Sequence, residues 1–146
     1  MIEKFIDVAY QEAKRAFALN EVPVGAVIVC NNEIISCKHN TSLQSNCACN
    51  HAEILAIEEA SEKLGSWRLN NCEMYVTLEP CPMCAGAILQ SRIKHVYIGT
   101  ESNIKSNKQI IHDIFQNKEY YHNVGITYLN NNKCSEILSL FFFNKR

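Results

Sequence analysis

The stretch Glu73-Met74-Tyr75-Val76-Thr77-Leu78-Glu79-Pro80-Cys81-Pro82-Met83-Cys84-Ala85-Gly86-Ala87-Ile88-Leu89-Gln90 decides the fold. Glu73–Leu78 is rich in β-formers and reads as a strand. Pro82 then opens a helix over Pro82–Gln90, because proline at the first helical position gives up an N–H that has no partner there. Cys81 and Cys84 are spaced i, i+3, so one helical turn brings them to a common face with Cβ atoms about 5–6 Å apart. Two thiolates at that separation suit one tetrahedral zinc. The open N–H groups and the dipole at a helix start favour the thiolate form.

The flanking sequence alternates between helical and strand patterns. Ile2, Phe5, Ile6, Ala9, Ala13, Ala16 and Phe17 recur at helical spacing. Val24–Cys30 and Glu33–Cys37 are β-rich runs joined by Asn31-Asn32, residues that tolerate the positive φ of a tight hairpin. A polar stretch, Asn40–Asn50, leads into a helix over His51–Leu64, which Gly65 stops. Lys94–Gly99 and Gly125–Leu129 read as strands and Cys134–Phe143 as a closing helix, while Thr100–Gln109 carries no clear period. Strands separated by helices predict crossovers and a partly parallel sheet covered on both faces. The expected architecture is a three-layer α/β/α sandwich with a mixed five-stranded sheet, one domain over residues 1–146.

Composition is consistent with that and excludes several classes. The chain has 146 residues, 47% apolar, with 5 Gly and 3 Pro, too apolar for disorder and too poor in Gly and Pro for a linker or fibre. Net charge is −1, so no strong overall field marks a nucleic-acid or membrane partner. That average hides a gradient: residues 1–73 carry −4 and residues 74–146 carry +3. A polyanion is therefore expected to meet the C-terminal half. Glu3, Lys4, Asp7, Glu12, Lys14 and Arg15 interrupt the N-terminal stretch, so it does not read as a signal peptide, and no window offers about 20 apolar residues for a membrane span. The 8 cysteines, in a chain long enough to build its own core, are expected to be reduced thiols of a cytoplasmic protein, some of them binding metal. Asn and Ile each occur 16 times, which reads as compositional drift.

A second short motif, His51-Ala52-Glu53, begins the other helix. A helix, a turn and a strand fit between Glu53 and Pro80, so both helix starts can emerge from one edge of the sheet. Two thiolates and a neutral imidazole neutralise Zn²⁺ and leave one coordination position open, the arrangement of a catalytic rather than a structural site. Glu53 is then the proton carrier. Residues i and i+2 do not share a helical face, so His51 must sit at the first residue or the cap for both to reach the metal. Cys-x-x-Cys alone also fits a redox pair or half a structural site, and His-x-Glu alone fits a solvated helix surface. Together, each at a helix start, they form the signature of zinc-dependent nucleobase deaminases.

With these motifs the chain resembles the TadA-type tRNA adenosine deaminases. The resemblance runs from about Phe5 to Arg146 and includes Glu21-Val22-Pro23-Val24-Gly25-Ala26-Val27, His51-Ala52-Glu53, Arg68-Leu69, Tyr75 through Ala87, Ser91-Arg92-Ile93 and Phe141-Phe142. It implies a cytidine deaminase-like fold, hydrolytic conversion of adenosine to inosine at the anticodon wobble position, one zinc per subunit with no organic cofactor, and a homodimer acting on a tRNA anticodon stem-loop. By position, His51, Cys81 and Cys84 match the family's zinc ligands and Glu53 its proton shuttle. Asn40 matches an asparagine that hydrogen-bonds the flipped base, Ala52 a backbone donor, and Val22 an apolar pocket wall. Without the resemblance Asn40 reads as a loop cap, and Phe141 and Phe142 as core residues or as RNA-stacking surfaces.

Two segments depart from the family pattern. Thr100-Glu101-Ser102-Asn103-Ile104-Lys105-Ser106 stands where the family usually carries an Arg-Asp pair and a Lys-Thr-Gly run. Cys47, Cys49 and Asn50 stand where an Asp-Pro-Thr-Ala run is common. Cys47 and Cys49 are not expected to be ligands, because a third thiolate would close the site to a hydrolase. The alternatives on the same motifs are a small-molecule deaminase of guanine, cytosine or a nucleoside, and a non-catalytic zinc-stabilised subunit. The carboxylate of Glu53 argues against the second, since a structural site has no use for it. The C-terminal Phe-Phe and Lys-Arg pairs favour RNA over small molecules, whereas the sequence pI near 6.5 and the altered loop favour the small-molecule reading.

Overall fold

In chain order the computed structural model, which describes residues 1–120 and 122–145, comprises α1 (Ile2–Ala18), β1 (Gly25–Cys30), β2 (Glu33–His39), α2 (Ser42–Ser45), α3 (Ala52–Leu64), β3 (Cys72–Leu78), α4 (Pro82–Gln90), β4 (His95–Thr100), α5 (Asn107–Phe115), β5 (Gly125–Tyr128) and α6 (Asn132–Phe143), with a 3₁₀ turn at Lys118–Tyr120. Arg146, where the resemblance and the basic ending reach the C-terminus, lies outside the described residues.

Asn31 and Asn32 hold φ of 51° and 65°, the left-handed pair that a two-residue hairpin requires. They fold β2 back onto β1 in antiparallel register, with a bulge between Ile28 and Val29. β1 also pairs antiparallel with β3, whereas β3 with β4 and β4 with β5 are parallel. The sheet is mixed, in the order β2-β1-β3-β4-β5. Parallel neighbours need a crossover, and α4 and α5 supply the two.

Strand alternation assigns the layers. Ala26 and Ile28 of β1, Met74 and Val76 of β3, and Val96 and Ile98 of β4 face α3, α4 and α5. Val27, Val29 and Tyr75 face the other way, against Phe5, Ile6 and Ala9 of α1 and Cys134 of α6. The sheet is therefore covered on both faces, as the alternating pattern requires. Each fully buried Ile or Phe in these layers contributes about 1.5–3 kcal/mol. Small residues set the spacing: Ala52, Ala56 and Ala60 recur every four residues along α3, all fully buried, so that helix lies close on the sheet.

On the other face α1 crosses β1 at Gly25, where a Cβ would fall 1.9 Å from the Ala9 carbonyl oxygen. The Gly25 N–H donates to Thr77 Oγ1 at 3.1 Å. The strand and helix spans match the sequence pattern to within one or two residues. The exceptions are α2, which lies inside the stretch read only as polar, and α5, which begins in the unassigned stretch.

Candidate active site

Both candidate motifs sit at helix caps. His51 caps α3 in extended conformation, φ −78° and ψ 154°, and Cys81 caps α4 at φ −73° and ψ 170° with Pro82 at the first position. An extended cap swings its side chain off the helix surface. His51 thus reaches the same space as Glu53 despite their i, i+2 spacing, and Cys81 meets Cys84. β2 and β3 both run antiparallel to β1, so the segment that leads from β2 into α3 and the loop after β3 open at one edge of the sheet.

His51 Nδ1 lies 3.6 Å from Cys81 Sγ and 3.5 Å from Cys84 Sγ, and the three donor atoms lie within 4.8 Å of one another. A tetrahedral zinc with Zn–S of about 2.3 Å and Zn–N of about 2.0 Å separates S from N by about 3.5 Å, so these spacings fit one ion. Cys47 is half-buried and Cys49 exposed, and neither belongs to that group. Among the described residues, the buried side-chain oxygen without a hydrogen-bond partner is Glu53 Oε1. A buried acceptor left orphaned beside three soft and borderline donors is what a cation-activated water would satisfy.

The electrostatics agree with that reading. The hydrogen bond from Cys84, then that from His51, holds the Cys81 thiol at about 4, while the same bond to Cys81, together with burial, pushes Cys84 up. The pair shares one proton, which a metal would displace. The hydrogen bond to Cys81 raises His51. Burial pushes the Glu53 carboxyl up to about 7, and a divalent cation beside it pulls the value back down.

Asn40 is buried, and its Oδ1 accepts the Ala52 N–H at 2.9 Å. It thereby caps α3 from twelve residues away, on a donor that a helix start always leaves open. The Ala52 N–H, the backbone donor that the resemblance points to, is directed at Asn40. Val22 is half-buried and packs on the core beside β1. Asn50 directs its amide to Ser45 Oγ at 2.7 Å, and its carbonyl accepts from Thr41 N. These bonds close the α2 loop and bring Asn40 and His51 together. Glu21 holds the same loop by accepting from Leu43 N and Gln44 N at 3.0 and 2.7 Å.

An open groove of about 890 Å³ begins at Leu78, at the end of β3, and runs between Thr100–Ile104 and Leu138, Phe142, Phe143 and Lys145. Phe141 is buried and meets Phe17 edge to face, whereas Phe142 is 47% exposed. Core and groove thus take one ring each. Sequence reasoning missed Glu79, a buried carboxylate that bonds α5 and β5 just before the cysteine loop. Its one signal was an acidic residue directly after the strand, between Leu78 and Pro80.

Comparison with known proteins agrees with this geometry. Residues 1–100 match the cytidine and deoxycytidylate deaminase zinc-binding region. A tRNA-specific adenosine deaminase of Aquifex aeolicus is 43% identical over 140 residues, 96% of this chain and 93% of that protein. One of Bacillus subtilis is 39% identical over 141 residues, 96% of this chain and 88% of that protein. A solved structure from work on A-to-I editing by tRNA:A34 deaminases at the wobble position of transfer RNA superposes with a TM-score of 0.84 at 35% identity, over 93% of this chain and 99% of that one. The chain therefore belongs to the zinc-binding cytidine and deoxycytidylate deaminase family, among its tRNA-specific adenosine deaminases.

Proposed function

We propose that this chain, as a single deaminase domain over residues 1–146, converts adenosine to inosine at the wobble position of a tRNA anticodon, holding one zinc per subunit through His51, Cys81 and Cys84. The observation that carries the reading is the orphaned, buried Glu53 Oε1 beside three donor atoms spaced for one tetrahedral ion. When bound, zinc supplies Lewis acidity that lowers the pKa of a water toward about 7.

The rest of the chemistry falls to the chain's own side chains. Glu53 takes a proton from the attacking water at Oε1 and returns it to the leaving amine. Oxygen bonds to the amino-bearing carbon, the C–N bond breaks, and ammonia departs. With its Oδ1 fixed on Ala52, Asn40 offers its Nδ2 as donor to the base edge, and Val22 walls the pocket. Extracting a base from its stack costs a few kcal/mol, which an amide reading its edge between apolar walls helps offset.

Three features support RNA as the substrate. The C-terminal half is basic, the groove from Leu78 to Lys145 carries the exposed rings Phe142 and Phe143, and the named relatives act on tRNA. No helix among the described residues is long and apolar enough to cross a membrane, in keeping with work in the cytoplasm. Met83 and Ile110, on α4 and α5, and Tyr120 just beyond them are exposed, apolar surface that a second copy would cover in a homodimer.

Metal analysis of the purified protein tests the reading. It predicts about one zinc per chain, as three protein ligands and an open position require, and its loss in Cys81→Ser and in His51→Ala. Full zinc occupancy in both variants would contradict it.

A further inference from the structure

Glu79 directly follows β3 and stands two residues before Cys81. It is only 4% exposed, and no Lys, Arg or His pairs with it among the described residues. Both its oxygens are occupied: Oε1 accepts from Asn107 Nδ2 at 2.8 Å and Oε2 from the Tyr128 hydroxyl at 2.6 Å. Asn107 Nδ2 also donates to the Pro80 carbonyl at 3.0 Å, so one amide group grips the chain on both sides of the Glu79–Pro80 bond. The Glu79 N–H itself donates to the Thr100 carbonyl at 2.9 Å.

Asn107 is the first residue of α5 and is 4% exposed. It occupies the helical position four residues before Ile111, which in turn precedes Phe115 by four, and both of these are fully buried. A core position that turns from apolar to amide is costly unless the amide is satisfied, and Glu79 with Pro80 satisfies it. Burial, followed by the bond to Glu79, raises the Tyr128 hydroxyl above its ordinary value, so it stays a donor. Lys108 lies 4.4 Å over the Tyr128 ring and pairs with Glu101 at 2.6 Å, tying the Thr100–Ser106 loop to the same cluster.

We infer that Glu79, gripped by Asn107 and Tyr128, is a positioning residue that fixes the Cys81 end of the metal site from α5 and β5. The inference rests on the assignment of His51, Cys81 and Cys84 as zinc ligands. Groups that orient metal ligands from behind control retention of the metal, and their loss typically costs about 10–100-fold in affinity.

Zinc transfer from the holoprotein to a chromophoric chelator, with the visible spectrum of the cobalt(II)-substituted protein as second readout, tests this. Asn107→Ala should weaken zinc binding about tenfold or more and shift the cobalt bands. Asn107→Asp, which sets a second carboxylate against Glu79, should weaken it further, and Tyr128→Phe should weaken it less than either. Ile111→Val loosens the same helix without touching Glu79 and should leave affinity and spectrum at wild-type values. Zinc affinity within threefold of wild type in both Asn107 variants would overturn the inference. So would an Ile111→Val protein that loses zinc as readily as Asn107→Ala. Cys81→Ser in the same assay separates the two levels of the argument: if it too keeps zinc, the ligand assignment fails; if it alone loses zinc, only the clamp fails.

Discussion

Glu53 carries an oxygen that the fold buries and leaves without a partner, an arrangement a protein keeps only when something else completes it. Glu53→Gln should retain zinc, since the ligands are untouched, and lose at least about 100-fold in turnover, because an amide accepts no proton from water. The measurement is deaminase rate beside metal content, and activity within about tenfold of wild type would remove Glu53 from the chemistry. The same variant has a stability signature in the metal-free protein. Burial raises the Glu53 carboxyl to about 7, so the folded state holds a proton that the unfolded chain releases at lower pH. That group's contribution is present below the ordinary carboxylate range and is lost as pH rises through about 7. Metal-free Glu53→Gln should therefore gain on wild type in thermal midpoint between about pH 5 and pH 8.

At the scale of elements, α1 and β1 approach each other closely at Gly25. Gly25→Ala would drive its Cβ into the Ala9 carbonyl, backbone against backbone, where no rotamer change gives relief. A loss of about 3 kcal/mol is expected, the upper end of ordinary overpacking, measured as a lowered denaturation midpoint. A midpoint equal to wild type would mean that α1 does not lie where described.

Most elements were legible because pattern and punctuation agreed. Asn31-Asn32 marks the hairpin, Gly65 ends α3 at φ 63°, and Pro82 opens α4. α5 was not, and the reason is physical. Its buried face reads Asn107, Ile111, Phe115, and an amide at a core position breaks the period unless its partners are known. Those partners, Glu79 and Pro80, are distant in sequence. The asparagines tell a similar story. Six of them, Asn20, Asn31, Asn32, Asn46, Asn71 and Asn130, hold positive φ where Gly65 is the one glycine that does. Asparagine, abundant here, takes turn positions that glycine fills in other chains, so the bias is partly structural.

For the molecule as a whole, the metal site was readable from two short motifs because His51 and Cys81 cap helices and Cys84 lies in the first turn of α4, where local sequence alone sets the direction of the side chain. The role of Asn40 was not, since its bond to Ala52 depends on the loop that Asn50 and Glu21 close. Thr100–Ile104, in the segment expected to depart from the family pattern, line the groove with Phe142 and Phe143, so that segment bears on recognition of substrate rather than on the chemistry. The direct test is therefore of substrate. Zinc-loaded protein is offered an anticodon stem-loop with adenosine at the wobble position and, separately, free adenosine, guanine and cytosine, and ammonia and inosine are measured. The account predicts equal amounts of ammonia and inosine from the stem-loop, far faster than ammonia from any free base or nucleoside. Rapid ammonia release from guanine, cytosine or free adenosine, with the stem-loop left unchanged, would contradict it.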